Sequence, residues 1–189
     1  MSKPISIVGL SGSLRTQSFN SALLREAGRL VPEGATFAIA DWSEFPVYND
    51  DVFAKGLPTA VSAVRQQLAD ADAIVICSPE YNYSIPGGLK NAIDWTSRGA
   101  DQPWKGKPVA IAGASMGMLG TARGQYHLRQ VAVFLDAFVL NKPEVMVGKA
   151  QDKFAMQDGE LRLQDEATRK ILATLMENLV QWTRRLQVK

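Results

Sequence analysis

Short apolar runs alternate with longer amphipathic ones along this chain. The runs from Ile5 to Leu10, Thr36 to Ala40, Ala73 to Cys77, Lys107 to Ala112 and Glu144 to Gly148 read as five strands. The third is apolar throughout, as a parallel strand buried on both faces should be, and Pro108 fits only the start of the fourth. Helical spacing follows each run. One helix begins near Ser21 and stops near Pro32-Glu33-Gly34, a second covers Thr59 to Asp70, and a third is opened by Pro86, where a missing N–H costs nothing. A fourth runs from Ala122 to Leu140, and a closing helix over residues 165–187 carries Ile171, Leu172, Leu175, Leu179 and Trp182. Residues 42–58 form a loop, and residues 148–165 carry no clear pattern. Five strands alternating with five helices imply an α/β fold, a five-stranded parallel sheet between two helical layers. Ligands at such sheets sit beyond the C-terminal strand ends. The loops after strands one, three and four, residues 12–20, 78–88 and 113–120, should therefore meet at one site.

The first loop joins a β-branched strand to a helix N-terminus through Gly12, Ser13, Leu14, Arg15, Thr16, Gln17, Ser18, Phe19 and Asn20. Unpaired N–H groups and a partial positive charge, set among hydroxyls, an amide and the one permanent cation Arg15, suit an anion, best a phosphate monoester. No Gly-Lys-Ser/Thr stands here, so hydrolysis of ATP or GTP is not suggested. A dinucleotide loop would need a third glycine where Arg15 falls, although Asp41 could mimic its ribose-binding acid. Ser18 and Asn20 equally suit plain helix capping.

The loop after strand three, Ser78-Pro79-Glu80-Tyr81-Asn82-Tyr83-Ser84-Ile85-Pro86-Gly87-Gly88, sets two aromatics beside an amide on a proline-stiffened backbone. It can cradle a flat heteroaromatic ring. The Glu80 carboxylate, next to a helix start, suits fixing a loop better than acid catalysis. In the loop after strand four, Gly113-Ala114-Ser115-Met116-Gly117-Met118-Leu119-Gly120, small residues such as Gly117 let a ring approach the backbone, and Ser115 can hydrogen-bond its edge. Ser115 has no histidine near it in sequence, His127 sits within a helix, and Cys77 ends a core strand, so no catalytic nucleophile is expected.

With 189 residues, 46% of them apolar, the whole chain, 1–189, fits one domain. A formal net charge of +2 with scattered basic residues does not suggest nucleic acid, and one cysteine with one histidine leaves no zinc cluster and no internal disulfide. No apolar run approaches membrane-spanning length and no leader is visible, so a soluble, cytoplasmic protein is expected.

One phosphate site beside one flat-ring site describes a mononucleotide with a large ring, and FMN fits. The same residues, Gly12-Ser13-Leu14-Arg15 with Ser18-Phe19-Asn20, and Pro79 through Gly88 continuing into Leu89-Lys90-Asn91-Ala92-Ile93-Asp94-Trp95, resemble the NADPH-dependent FMN reductase family, and within it the bacterial quinone and chromate reductases. The resemblance covers nearly the whole chain. It implies a flavodoxin-like three-layer sandwich, bound FMN, NADPH or NADH as donor, and oligomers built from dimers. Carried over by motif, Ser13 to Asn20 hold the phosphate, Pro79 to Tyr83 the ring, and Ser115 with Gly117 its far edge, with no catalytic side chain and no metal.

The activity so implied is an oxidoreductase that passes hydride from NAD(P)H through FMN to a quinone, or to chromate, an azo or nitro compound, or free flavin. Its alternative is a flavodoxin-like one-electron carrier, against which the absence of a strongly acidic surface argues. A homodimer or homotetramer is expected to form through the helices after strands three and four, because Val131, Val133, Phe134, Leu135, Phe138, Val139 and Leu140 exceed what one helix face against a sheet needs.

Overall fold

The computed structural model describes residues 3–187. Its strands are Ile5–Ser11 (β1), Ala35–Ile39 (β2), Ala73–Cys77 (β3), Pro108–Ala114 (β4), Phe138–Val139 (β5) and Val145–Val147 (β6), and its helices are Phe19–Arg29 (α1), Asp50–Phe53 (α2), Thr59–Asp70 (α3), Gly87–Thr96 (α4), Ala122–Phe134 (α5) and Glu166–Gln187 (α6). The strand order is β2-β1-β3-β4-β5 and every pairing is parallel. This is the α/β architecture expected from the sequence.

Alternation along each strand sends neighbouring residues to opposite faces. Ala73, Val75 and Cys77 of β3 pack with Leu23 and Leu24 of α1 and Leu172, Leu175 and Leu179 of α6, while Ile74 and Ile76 meet Val64 and Leu68 of α3, Leu89 and Ile93 of α4 and Leu128 of α5. Two independent apolar clusters thus hold one sheet between two helical layers. Arg65 ties α3 to the end of α4, its guanidinium donating to the carbonyls of Thr96 and Arg98 at 3.1 and 2.6 Å and pairing with Asp101 at 2.6 Å.

Three expectations require correction. Residues 42–58, read as a loop, hold the one-turn helix α2, capped by the Asn49 side chain, which accepts from Asp51 N–H at 2.8 Å. The helix from Ala122 ends at Phe134 rather than Leu140. Asp136 adopts φ 55°, its N–H donates to Val133 O, and Ala137 N–H reaches back to Ala132 O at 3.0 Å, a left-handed helix terminus of the Schellman kind. The chain then enters β5, so Phe138 and Val139 lie on the sheet and pair with Pro108 and Val109. The run near Glu144 is β6, which pairs with the C-terminal half of β4, Ala112 to Ala114. The fifth position of the sheet is therefore shared by two short strands, with Pro143, which lacks an N–H, between them.

Residues 148–165, unassigned from the sequence, hold a 3-10 turn at Ala150–Asp152 and an antiparallel hairpin, Phe154–Gln157 (β7) and Glu160–Leu163 (β8). Asp158 and Gly159 both have positive φ, 51° and 77°, as a two-residue type I′ turn demands. The hairpin docks on α1 through Glu160, whose carboxylate pairs with Arg25 at 2.6 Å and Arg29 at 2.8 Å.

Helix α6 is capped by Asp165, whose carboxylate accepts from Thr168 N–H at 2.8 Å. Hydrogen bonds from the Thr168 hydroxyl and N–H, helped by Lys153, hold this carboxyl below its ordinary range. A depressed carboxyl stabilises the fold above its unfolded value, near pH 4, and that contribution fades as pH falls through the lower folded value. Asp165→Ala should cost about 1 kcal/mol at pH 7. Urea unfolding across pH 2–7 should show the gap to the parent shrinking at the acid end.

Candidate functional site

The loops after β1, β3 and β4 meet at the C-terminal edge of the sheet, and glycine lets them do so. Gly12 N–H donates to Cys77 O at 2.7 Å, and a Cβ on Gly12 would stand 2.6 Å from Ser78 Oγ. On the other side a Cβ on Gly113 would stand 2.4 Å from Ser78 O. Ser78 is thus wedged between the first and the third of these loops. Any side chain at either glycine would force them apart.

In the first loop, Ser18 is the buried N-cap of α1, its hydroxyl accepting from the N–H groups of Asn20 and Ser21 at 3.1 and 3.3 Å. Asn20 is buried too. Its amide closes two bonds with one residue at the end of β4, donating to Ala114 O at 2.9 Å and accepting from Ala114 N–H at 2.8 Å. These two residues shape the loop from beneath. Phe19 packs on Phe154 of the hairpin at 5.3 Å between centroids, and the Arg15 guanidinium stands 5.8 Å over the Phe19 ring. Leu14, Arg15, Thr16 and Gln17 are exposed, with Ser13 half-buried beside them. Among the described residues, the N–H groups of Leu14, Thr16, Gln17 and Phe19 find no protein acceptor. Four free donors, the Ser13 and Thr16 hydroxyls and one cation at a helix N-terminus match what a terminal phosphate ester requires.

Glu80 has the loop-fixing role. Its carboxylate accepts from Arg123 Nε at 2.7 Å and from Gly124 N–H at 3.0 Å, satisfying a donor in the first turn of α5. Tyr81 and Ser84 exchange two backbone bonds of 2.9 Å, closing a turn in which Asn82 and Tyr83 have φ of 51° and 66°. Left-handed φ is uncommon for tyrosine. Here the Arg123 guanidinium lies 3.6 Å from the Tyr83 ring centroid, so Glu80 holds Arg123 and Arg123 holds Tyr83. Pro79 is buried at the base of this turn, while Tyr81, Asn82 and Tyr83 stand exposed at its tip.

Ser115 faces its own loop, its hydroxyl bonded to Gly120 O, and its N–H donates to Val147 O at 2.9 Å. Gly117 O accepts from Lys149 N–H at 3.2 Å. The loop after β4 is thereby fastened to the segment after β6, leaving Met116, Met118 and Leu119 exposed on its rim. His127 Nδ1 pairs with Ser84 Oγ at 3.0 Å and pins the tyrosine turn to α5, and Ser115 lies outside that contact. Asp41 accepts from Ser43 N–H at 2.9 Å within its own loop, and that bond lowers its pKa. No cluster of metal-binding side chains occurs among the described residues.

One feature of this edge was missed in the sequence. The loop after β2 folds over α4, and the two line an open groove of about 610 Å³ with Trp42, Phe45, Val47 and Tyr48 on one side and Gly87, Gly88, Lys90, Asn91 and Asp94 on the other. Leu14 of the first loop reaches its mouth. Three large apolar or aromatic residues close together in a loop, Phe45, Val47 and Tyr48, were the available signal.

Residues 5–152 match the family model for NADPH-dependent FMN reductase. An NAD(P)H-dependent FMN reductase of Pseudomonas aeruginosa is 53% identical over 187 residues, covering 99% of this chain and 100% of that protein. A quinone reductase of Escherichia coli is 50% identical over 163 residues, 85% of this chain and 87% of its own length. Among solved structures, the flavoenzyme NAD(P)H:(acceptor) oxidoreductase FerB of Paracoccus denitrificans superposes with a TM-score of 0.85 at 32% identity, covering 96% of this chain and 98% of that one.

Proposed function

The chain belongs to the NADPH-dependent FMN reductase family and is an FMN-dependent oxidoreductase using NAD(P)H; from that premise we propose that it reduces quinones, with the whole chain acting as one cytoplasmic FMN-binding domain. The observation that carries the site assignment is the first loop, where four N–H groups without a protein acceptor among the described residues share one short segment with Arg15. FMN, when bound, supplies the hydride chemistry, accepting from the nicotinamide and donating to the acceptor. The residues of the chain hold and place it.

Ser13, Arg15, Thr16, Gln17 and the backbone from Leu14 to Phe19 take the phosphate. Asn20 and Ser18 keep those groups in position by consuming their own polar atoms beneath the loop. The turn from Pro79 to Tyr83 and the loop at Ser115 and Gly117 flank the ring, the first stiffened by Glu80 and Arg123 and the second by Val147 and Lys149. No proton-transferring side chain is assigned. Quinones as acceptors are supported by the half-identical quinone reductase.

The exposed Val133 and Phe134, 79% and 85% accessible, and Tyr126 on the same helix support an oligomer formed through α5. Tyr126 already bonds Glu144 at 3.0 Å within one chain, and Lys142 with that hydroxyl holds the Glu144 carboxyl below its ordinary value.

Purified protein mixed with FMN, NADH or NADPH and a benzoquinone should oxidise many equivalents of nucleotide per protein. Single-turnover oxidation that stops at one equivalent would favour the electron-carrier reading. No described helix is long and apolar enough to cross a membrane.

A further inference from the structure

The groove between the β2 loop and α4 lies beside the FMN loops and shares with them Leu14 at its mouth and Gly87 and Gly88 where the second loop enters α4. Its shape is built rather than incidental. The side-chain amide of Asn91 accepts from Tyr48 N–H at 2.7 Å and donates to Pro46 O at 2.8 Å, and Trp95 Nε1 donates to the same carbonyl at 2.8 Å. Trp42 is anchored from the other side by Nε1 bonding Ser11 O at 2.8 Å, and its ring lies against Gly88, where a Cβ would come within 3.0 Å. Three bonds to α4 and one to β1 thus fix the aromatic loop against the helix and set the shape of the groove between them.

We propose that this groove binds the adenosine diphosphate portion of the nicotinamide donor. The assignment rests on the FMN reading above, since it places the donor beside the cofactor. Three observations favour a nucleotide over the acceptor. The α4 wall runs from Gly87 to Asp94, eight residues and so about 10 Å of helix, longer than a single quinone ring spans. A volume of about 610 Å³ is likewise far more than one such ring fills. The wall is also chemically divided. On the loop Phe45 offers a ring and Val47 an exposed apolar side chain to a purine, while Tyr48 is fixed behind them, its ring 4.9 Å from that of Trp95 and 5.2 Å from the Arg98 guanidinium. Across from them Lys90 Nζ is paired with both oxygens of Asp94, at 2.7 and 2.9 Å, which leaves the ammonium one further N–H to give a diphosphate oxygen and sets the carboxylate beside it for ribose hydroxyls. A quinone, with two carbonyls, has no use for the carboxylate. The first turn of α4, which has no side-chain cap, adds N–H groups at Gly87 and Gly88 on the same wall.

The test uses the FMN-loaded protein and ADP-ribose as the probe, read by calorimetry. ADP-ribose should bind the parent and be displaced by NADH but not by menadione. Val47 is 86% accessible, so Val47→Asp leaves the core untouched and should weaken ADP-ribose at least tenfold. Phe45→Ala should do the same. In both variants the KM for the nicotinamide nucleotide should rise by a similar factor, with kcat, the KM for menadione and the affinity for FMN unchanged. Absence of ADP-ribose binding by FMN-loaded parent protein overturns the proposal, as does equal binding by Val47→Asp. A rise in the menadione KM alone would instead give the groove to the acceptor. A parent that binds no FMN overturns the cofactor reading itself, and the groove assignment with it.

Discussion

Arg15→Ala is expected to weaken FMN binding by a factor of about 30 or more, the loss of about 2 kcal/mol that a charge-assisted hydrogen bond to phosphate supplies. Arg15 is the one side-chain cation between Gly12 and Asn20. Its guanidinium leans over Phe19 and makes no ion pair among the described residues, so removing it disturbs the fold little. Quenching of flavin fluorescence would measure the affinity. Riboflavin provides the control: lacking the phosphate, it should bind parent and variant alike. If riboflavin bound the parent as tightly as FMN does, the loop would not be a phosphate site.

The second large effect falls on stability. Asn20→Ala should destabilise the protein by about 3 kcal/mol, because it removes two buried hydrogen bonds and leaves both polar groups of one residue without partners. Those groups are the N–H and C=O of Ala114, at the point where β4 gives way to the loop that flanks the ring. Asn20→Asp should fare no better: it still accepts from the N–H but sets a carboxylate oxygen against the Ala114 carbonyl. Urea unfolding of the three proteins would show it, with the midpoint displaced and the slope unchanged. Unfolding of Asn20→Ala at the parental midpoint would mean that water or a shifted neighbour satisfies Ala114. The same pair of bonds spans 94 positions in sequence and ties the phosphate loop to the ring loop, so FMN affinity should fall with stability.

Much of this was legible because the physics is local. Ala73 to Cys77 announces a central strand by being apolar on both faces, and Pro86-Gly87-Gly88 announces a helix start. Convergence of three loops followed from topology alone, since a parallel sheet puts the ends of β1, β3 and β4 at one edge. What escaped depended on exceptions or on distance. Helix α5 stops at an aspartate in the left-handed region, a place usually held by glycine or asparagine, so the apolar run to Leu140 read as continuous helix. The split of the fifth sheet position into β5 and β6 is decided by pairing with the two halves of β4, which no local pattern records. The β7–β8 hairpin, by contrast, carried its signal in Asp158-Gly159, masked by an exposed and weakly alternating pair of strands. Asn20 suited either a cap or a ligand contact when seen alone. Only the position of Ala114 shows where its amide goes.

Cys77 lies in the middle of the sheet, wholly buried at the end of β3, and burial pushes its thiol far above the ordinary range. Quinones are soft electrophiles that arylate thiolates, and an enzyme that handles them works in contact with a reagent able to inactivate it. This chain has a single cysteine, and the fold keeps it both protonated and out of reach. The native protein should accordingly survive prolonged turnover on unsubstituted benzoquinone without gaining mass at that residue. The chain once unfolded should be labelled within minutes, which makes arylation of Cys77 a count of how often β3 leaves the sheet.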